Sequence, residues 1–498
     1  MLPARVCDAL TPVEESLTND PTPDASGRRS LPGVGLSLVP VLSLVTLLAV
    51  VIGGLDGGGH IPLVLGTAIA AVVAGFGLGM PWKQVEAGMV KGIAGGLPAV
   101  LVLLVVGMLV GVWIAAGVVP LLIHYGLMVL APGWFLVAGC IICAVVALAT
   151  GSSWSTAATV GLALVGVGQA LGVHPGMTAG AIVSGAYFGD KMSPLSDTTN
   201  LAPAAAGAEL FEHIQHMLWT TIPAMVLALI GFAVMGLGQG DGGTNGADLD
   251  AISTGISKAF VLSPVLLVAP VAVLGLVIRR VPALPALMVG TLVAALLAVV
   301  VQGASVADVL SASMGGYTSE TGVASVDKLL SRGGMGSMLE TVALIVCALA
   351  FAGVMEASGM LDSLARAVLR WASGTGGLVV ATAASAVGLN VLASDQYIAI
   401  IVPGRMYRTA FLERRLHPKN LSRVLEDAGT MTSALVPWNT CGAYMAGVLG
   451  VATTAYAPFA LVNLLTPLLT IAYGFTGFSI HTLDEDDARE RLTGLSTR

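Results

Sequence analysis

The chain has little charge. Only 10% of its 498 residues are Asp, Glu, Lys or Arg and 56% are hydrophobic, whereas a soluble globular protein carries about 25% charged residues. Together with a mean hydropathy of +0.89, this excludes an ordinary soluble domain. The chain also lacks a basic excess, because 22 basic residues face 29 acidic ones, and this balance argues against a nucleic-acid partner.

Cysteine is scarce as well. The chain has five cysteines, four of them inside apolar stretches, so we expect no structural disulfide. Cys140 and Cys143 share one face of a predicted helix, but a single pair at this spacing is more typical of packing than of metal binding. The sequence predicts no cofactor.

Long apolar stretches are abundant. They recur from residue 33 to residue 477, and most are long enough to cross the ~30 Å of hydrocarbon in a lipid bilayer. This pattern predicts an all-α polytopic membrane protein. The first 30 residues are polar and lack the features of a signal peptide, so we expect them to be disordered.

A weak internal repeat divides the chain. "GVWIAAGVVPLL" at 111–122 matches "GVMEASGMLDSL" at 353–364, and the same offset lays "ATGSSW" over "VLASDQ". A slightly smaller offset brings Asp190 onto Asp427. The predicted regions are a disordered cytoplasmic N-terminus (1–32), two extra transmembrane helices (33–81), a first transport repeat (82–238), an acidic loop with two linking helices and an outer loop (239–322), a second transport repeat (323–478) and a cytoplasmic tail (479–498).

Each half contains two apolar arms broken at "GSSW" or "ASDQ", followed by a helix interrupted by Pro, Ser and Thr. We interpret each pair of arms as a re-entrant hairpin and each interrupted helix as unwound, which gives about ten spans plus two hairpins. The basic segment 405–423 is expected in the cytoplasm, and the count then places both termini there as well, inside a plasma (inner) membrane. Three crossings in each half make the repeats inverted, as in secondary transporters.

Five charged residues lie at these breaks within the apolar sequence: Asp190, Lys191, Asp197, Asp395 and Asp427. A carboxylate at mid-membrane costs ~2.5–3.5 kcal/mol, so each one calls for a reason. Hydroxyl and amide side chains that could supply neutral oxygen ligands surround them: Ser153, Thr156, Ser196, Thr198, Thr199, Asn200, Thr432, Ser433 and Asn439. We predict a Na⁺ site at Asp190, Asp197, Thr199 and Asn200. A buried Asp that holds either Na⁺ or H⁺, but not both, provides the minimal chemistry of exchange.

Structural roles compete with these functional ones. Asp190 and Lys191 could form ion pairs with partners on other helices, since adjacent residues of a helix do not face each other. Asp427 follows Glu426 and could be an ordinary charge at a helix start near the cytoplasmic surface. Alternatively, Lys191 could act as a charge switch that occupies a carboxylate when the site is empty.

Four segments carry a family resemblance. "TGSSWSTAATVG", "GAYFGDKMSPLSDTTNLA", "DQYIAIIVPGRMY" and "NLSRVLEDAGTMTSALVPWNTCGAYMAGVLGV" resemble the signature segments of the NhaC family of Na⁺/H⁺ antiporters, in the ion-transporter superfamily. The resemblance implies an inner-membrane antiporter that expels Na⁺ with the inward proton gradient. It also implies paired hairpins and two unwound helices, with the site at 152–156, 189–200, 395–396 and 427–440. Some family members look like malate/lactate exchangers coupled to Na⁺ and H⁺, so a small carboxylate remains an alternative substrate.

Two rivals from other classes are disfavoured. An intramembrane aspartyl protease would need Gly-x-Gly-Asp, but Tyr187 stands at the first glycine position of "AYFGD", and no Tyr-Asp partner motif occurs. A passive channel is disfavoured because inverted, broken repeats are typical of alternating access. The protein is thus expected to be a transporter and no enzyme, with Na⁺, H⁺ and lipid as partners and a homodimer left open.

Overall fold

A computed structural model describes residues 31–55, 57–238, 246–370 and 372–496. These residues form helices throughout, and the β-structure among them amounts to two isolated bridges. Residues 1–30, which we expect to be disordered, lie outside the described part. Residues 239–245 of the predicted acidic loop lie outside it as well.

Two helices precede the first half: α1 (Val34–Gly54) and α2 (His60–Val72), which continues into a π-helical turn at Val73–Gly77. The first half consists of α3 (Trp82–Ala115), α4 (Val118–Val129), α5 (Pro132–Thr150), α6 (Ser153–Thr156), α7 (Leu162–Ala170), α8 (Pro175–Met192), α9 (Asp197–Ala206) and α10 (Leu210–Leu237). A π-helical turn at Ala157–Gly161 joins α6 to α7.

The segment between the halves contains α11 (Gly246–Ala259), α12 (Val268–Ile278), α13 (Ala283–Val300), α14 (Val306–Gly315) and α15 (Ala324–Leu330). The first of the two linking helices predicted within 239–322 is bent at its start. Its first turn is a 3₁₀ helix at Pro264–Leu267, and the chain bends by 91° between α11 and this turn. The bend falls in the non-helical residues 260–263, and Pro264 begins the next helix, where its missing N–H is tolerated.

The second half begins with a 3₁₀ turn at Met335–Met338 and contains α16 (Leu339–Ala357), α17 (Met360–Arg370), α18 (Gly374–Leu392), α19 (Gln396–Glu413), α20 (Pro418–Val424), a π-helical turn at Leu425–Thr430, α21 (Met431–Ser433), α22 (Thr440–Leu449), α23 (Thr453–Tyr456), a 3₁₀ turn at Ala457–Phe459 and α24 (Leu461–Thr476). The tail ends in α25 (Glu485–Ser496).

Among the described residues, eight helices are long and apolar enough to cross a membrane, or up to ten if each of two bent pairs forms one span. The prediction of an all-α polytopic membrane protein is therefore confirmed. α5 and α18, which the sequence assigned to hairpin arms, are two of the eight. The hairpins and the number of crossings thus stay predictions.

The helix bounds recur along the chain. The offset in residue number between the starts of α5 at Pro132 and α18 at Gly374 is nearly equal to the offset between the starts of α9 at Asp197 and α22 at Thr440. Residues with left-handed backbone recur at this common spacing: Gly117 with Gly359, Gly151 with Ser394, Gly172 with Arg415, and Gly207 with Gly450. The spacing places Asp190 opposite Ser433. The alignment of Asp190 with Asp427 is therefore corrected, because it matched two charges rather than two backbone positions.

Close helix packing positions the site. A Cβ atom on Gly185 or Gly189 of α8 would overlap the carbonyl oxygen of Cys140 or Ala144 on α5. Glycine at these two positions lets the helices approach with their backbones nearly touching. α8 therefore runs directly along the first arm and delivers its C-terminal end to the break at Gly151.

Candidate functional site

The helix breaks at Gly151 and Ser394 have the same backbone conformation. Gly151 has φ +67° and Ser394 has φ +57°, and each precedes a residue that caps the next helix. The Ser152 hydroxyl accepts a hydrogen bond from the Ser155 amide at 3.1 Å. Asp395 Oδ1 accepts hydrogen bonds from two amides at 2.8 Å and 3.0 Å at the start of α19. Each break is thus a left-handed turn followed by a side-chain cap.

Both breaks line one cavity of about 240 Å³, together with the middle of α3 and the break between α8 and α9. The polar residues of this lining are Ser152, Ser153, Asp190, Ser196, Asp197, Thr198, Asp395, Gln396, Tyr397 and Thr440. Three of them are carboxylates, and no Lys, Arg or His is among the lining residues. The cavity therefore favours a cation over an anion.

Asp190 is the most enclosed of the three carboxylates, with 8% of its surface exposed. Its Oδ2 atom accepts hydrogen bonds from the Ser153 amide at 3.1 Å and from the Ser153 hydroxyl at 2.6 Å. The Ser196 hydroxyl faces the same carboxyl. Asp190 thus joins the first break to the break after α8, at the wall of the cavity.

Asp197 opens α9 and is exposed to the cavity, but its two neighbours in the predicted Na⁺ site turn away. The Thr199 hydroxyl donates to the carbonyl oxygens of Asp190 and Lys191 at 3.3 Å and 3.0 Å. The Asn200 amide donates to the carbonyl oxygens of Pro194 and Ser196. Both side chains thus donate to carbonyls around the break between α8 and α9 instead of facing the cavity. Of the four predicted ligands, the structure brings Asp190 and Asp197 to the cavity.

Lys191 points away from Asp190. Its ammonium forms an ion pair with Asp427 Oδ1, and both side chains are fully buried. The Thr220 hydroxyl of α10 donates to the same oxygen at 3.2 Å. Asp427 lies in the buried π-helical turn at Leu425–Thr430 rather than at an exposed helix start. This ion pair agrees with both alternatives for Lys191, a structural pair across helices and a charge switch that occupies a carboxylate, and it brings neither residue to the cavity.

The remaining predicted ligands lie outside the cavity lining. Asn390 donates to Thr432 at 3.0 Å, and Asn439 donates to Asn390 and caps α22. The Ser433 hydroxyl donates to the Thr430 carbonyl at 2.6 Å and lies 3.4 Å from Gln396 Oε1. Thr156 is fully buried in α6. Among the predicted neutral oxygen ligands, Ser153, Ser196 and Thr198 line the cavity.

Two residues of this region were missed by sequence reasoning. Tyr397 lines the cavity at the second break and is 40% exposed. Glu426 is fully buried, and its Oε1 atom accepts a hydrogen bond from Thr198 at 3.0 Å. A signal for Glu426 exists, because it stands one helical turn from both Ser422 and Thr430, which places three polar residues on one face of an apolar helix.

The carboxylates are spread around the cavity. The described residues contain no group of three or more His, Cys, Asp or Glu side chains that could hold one metal ion. A Na⁺ ion here would therefore meet at most two of these carboxylates together with neutral oxygen atoms, which is a donor set of hard oxygen atoms. Such a set suits a transported ion that must be released.

Broken helices around a cavity, within a polytopic helical bundle, are typical of secondary transporters. The sequence pattern of the Na⁺/H⁺ antiporter family matches residues 185–478, and the chain belongs to this family. NhaC, a Na⁺/H⁺ antiporter of Alkalihalophilus pseudofirmus, is 42% identical over 84% of this chain and 91% of its own. The resemblance to the NhaC family is thereby confirmed.

Two further relatives carry other names. The arginine/ornithine antiporter ArcD of Halobacterium salinarum is 37% identical over 92% of this chain and 95% of its own. The malate-2H⁺/Na⁺-lactate antiporter of Bacillus subtilis is 37% identical over 85% of this chain and 90% of its own. The family therefore contains proteins named for organic substrates as well as for Na⁺.

Proposed function

We propose that this protein exchanges Na⁺ for H⁺ across the plasma membrane. One observation carries the proposal: the cavity at the helix breaks has three carboxylates and no cationic side chain in its lining. Lys191, the nearest buried cation in the sequence, is engaged with Asp427 instead. An acidic cavity of this kind holds a small cation or a proton.

Asp190 is the proposed centre of the exchange. Its carboxylate accepts a hydrogen bond from the Ser153 hydroxyl at 2.6 Å. This hydroxyl can instead turn its oxygen towards a bound Na⁺. A proton on Asp190 removes the negative charge that Na⁺ needs, so the two ions exclude each other. Asp197 and Asp395 form the rest of the proposed acidic wall.

Alternating access follows from the proposed inverted repeat. The recurrence of the helix bounds and of the left-handed residues supports two related halves at 82–238 and 323–478. The convergence of both breaks on one cavity supports the two re-entrant hairpins. Rocking of two such halves about a central site is the common mechanism of this architecture. The cytoplasmic termini, the remaining region bounds and a homodimer stay predictions.

Exchange of a cationic amino acid is the second candidate. The cavity of about 240 Å³ is larger than a single Na⁺ requires, and its acidic lining suits a guanidinium or an ammonium group. The relative named as an arginine/ornithine antiporter covers 92% of this chain. Malate/lactate exchange has less support, because no cationic side chain in the lining could hold a carboxylate unless Na⁺ mediates the contact.

The test is proton flux in inverted vesicles from a host without its own antiporters. The vesicles are energised and given Na⁺, arginine with ornithine, or malate with lactate, in separate runs. We expect Na⁺ alone to collapse the pH gradient with the wild-type protein and to have no effect with Asp190→Asn. A response only to an organic substrate would overturn the proposal and would select between the other two substrate classes.

A further inference from the structure

Glu426 is connected to the cavity by hydroxyl groups. Thr198 Oγ1 lies 3.0 Å from Glu426 Oε1 and 3.2 Å from Ser196 Oγ, and the Ser196 hydroxyl faces the Asp190 carboxyl. Ser196 and Thr198 both line the cavity, whereas Glu426 is fully buried behind them. Two carboxyl groups are thus linked through two hydroxyl groups.

The cation nearest to Glu426 is paired with another carboxylate. Lys191 is its nearest cation, but the ammonium is already in an ion pair with Asp427. Arg423, one turn earlier, donates to Ser479 and lies over the Tyr473 ring. Among the described residues Glu426 therefore forms no ion pair, because Asp427 holds the Lys191 ammonium and also attracts Arg423. Burial of an unpaired charge is costly, and a carboxyl group avoids this cost by binding a proton.

The second oxygen of Glu426 is also buried. Glu426 Oε2 has no hydrogen-bond partner among the described residues, although the Thr430 hydroxyl on the same helix faces the carboxyl. Both residues lie in the π-helical turn at Leu425–Thr430. Single π-helical turns inside α-helices occur frequently at functional sites.

We infer that Glu426 takes up the proton that Na⁺ displaces from Asp190, and this inference rests on the proposed Na⁺/H⁺ exchange. The proton of the Asp190 carboxyl passes to Ser196 Oγ, Ser196 gives its own proton to Thr198 Oγ1, and Thr198 gives its proton to Glu426 Oε1. One O–H bond breaks and one forms at each hydroxyl group, so both remain neutral. Asp190 is left as a carboxylate for Na⁺, and Glu426 becomes a neutral acid.

The test separates two modes of transport by protein reconstituted in liposomes. Na⁺/Na⁺ exchange, measured as ²²Na⁺ counterflow, needs the Na⁺ site but no proton carrier, whereas Na⁺/H⁺ exchange needs both. In Glu426→Gln we expect Na⁺/H⁺ exchange to fall by about tenfold or more, with Na⁺/Na⁺ exchange within about twofold of wild type. Thr198 also lines the cavity, so Thr198→Val is judged by proton coupling alone: the ratio of Na⁺/H⁺ to Na⁺/Na⁺ exchange should fall, and Thr198→Ser should restore this ratio.

Two outcomes would overturn the inference. Glu426→Gln could exchange Na⁺ for H⁺ at the wild-type rate, or both modes could fall together in Glu426→Gln, which would mark a structural role. Asp190→Asn serves as the comparison, because it should lose both modes. If the wild-type protein itself shows Na⁺/Na⁺ exchange without Na⁺-driven proton flux, the proposed function fails and the inference with it.

Discussion

The two proposed halves, 82–238 and 323–478, have closely matching helix bounds but carry different side chains at the matching positions. In the first half Ser153, next to the break, contacts Asp190, 37 residues further on. In the second half Gln396, which occupies the position equivalent to Ser153, contacts Ser433, again 37 residues further on. The same pair of positions meets in both halves, once as hydroxyl with carboxylate and once as amide with hydroxyl.

The acidic groups come from opposite places in the two halves. The first half has a hydroxyl as its cap, Ser152, and carries its carboxylates beside the break between α8 and α9, at Asp190 and Asp197. The second half has its carboxylate as the cap, Asp395, and has Ser433 and Thr440 where the first half has Asp190 and Asp197. Three carboxylates therefore line the cavity, two from the first half and one from the second.

The largest expected effect is the difference between substitutions at two equivalent positions, Asp190 in the first half and Ser433 in the second. Asp190→Asn removes the charge that holds Na⁺, and we expect Na⁺-driven proton flux to fall by about 100-fold or more. Ser433→Ala removes a hydroxyl that donates to the Thr430 carbonyl outside the cavity, so flux should change by about threefold or less. Initial rates in inverted vesicles, scaled to protein content, provide the measurement.

Equal losses from Asp190→Asn and Ser433→Ala would show that the two halves contribute equivalent sites. Asp190→Ser is the complementary variant, since it gives the first half the residue of the second. It should be as inactive as Asp190→Asn, because a hydroxyl does not replace the charge.

The left-handed residues at the two breaks give the next effect. A Cβ atom on Gly151 would lie 2.7 Å from Leu195 and 2.9 Å from the Ser196 amide nitrogen. Gly151→Ala should therefore push the break at Gly151 away from the break between α8 and α9. We expect ²²Na⁺ uptake to fall by about tenfold or more. Ser394→Gly should retain transport, since glycine adopts the positive φ of this position more readily than serine does.

Wild-type ²²Na⁺ uptake by Gly151→Ala would show that the contact of Gly151 with Leu195 and Ser196 does not matter for the site. Thermal unfolding in detergent serves as the control for both variants. A fall in uptake at an unchanged melting temperature would assign the effect to the site rather than to folding.

Much of this architecture is predictable from the sequence, because it depends on local composition. Apolar length predicts the spanning helices, and "GSSW", "ASDQ" and "MSPLSD" mark the breaks. Side-chain direction is harder to predict. Asp190 and Lys191 are adjacent, yet a helix points neighbours about 100° apart, so one lines the cavity and the other pairs with Asp427.

The choice of ligands is limited by the same difficulty. Thr199 and Asn200 have suitable oxygen atoms, but a broken helix exposes backbone carbonyls that need hydrogen-bond donors. The Thr199 hydroxyl donates to the Lys191 carbonyl, and the Asn200 side-chain amide donates to the Pro194 carbonyl. An alignment of the repeat through its charges also pairs the wrong residues, Asp190 with Asp427. The backbone repeats and the charges do not, so the left-handed positions give the better alignment.

A smaller effect is expected at Asp395, where charge and cap can be separated. Asp395→Asn keeps a side-chain oxygen for the amides of Tyr397 and Ile398 but removes the charge, so we expect about tenfold weaker Na⁺ binding with unchanged stability. Asp395→Ala removes both and should also lower the free energy of unfolding by about 1 kcal/mol. Na⁺-dependent transport and thermal unfolding distinguish the two.

Ser152→Ala is the matched variant in the first half. It should lose the cap alone, with about 1 kcal/mol of stability and little change in Na⁺ affinity. An equal loss of Na⁺ affinity in Ser152→Ala and Asp395→Asn would contradict the different roles assigned to the two caps.

The smallest effect concerns two His-Pro steps at equivalent positions of the two halves. His174 precedes Pro175 at the start of α8 without a capping hydrogen bond, whereas His417 precedes Pro418 and its Nδ1 accepts a hydrogen bond from the Lys419 amide. Nδ1 can accept only in the neutral imidazole. Burial, and then Lys419, lowers the pKa of His417, although Glu212 acts in the opposite direction.

The folded protein therefore binds fewer protons at His417 than the unfolded chain does. Its contribution to stability is present above pH ~6.5 and is lost as the pH falls through the lowered pKa. We expect α20 to lose its cap between pH 7.5 and pH 5, at a cost of about 1 kcal/mol or less, measured as faster proteolysis of the tail docked at His481. His417→Asn keeps an acceptor that does not titrate, so this variant should lose the pH dependence, whereas His174→Asn should keep it. A pH dependence that survives in His417→Asn would place the titrating group elsewhere and would leave the two His-Pro steps equivalent.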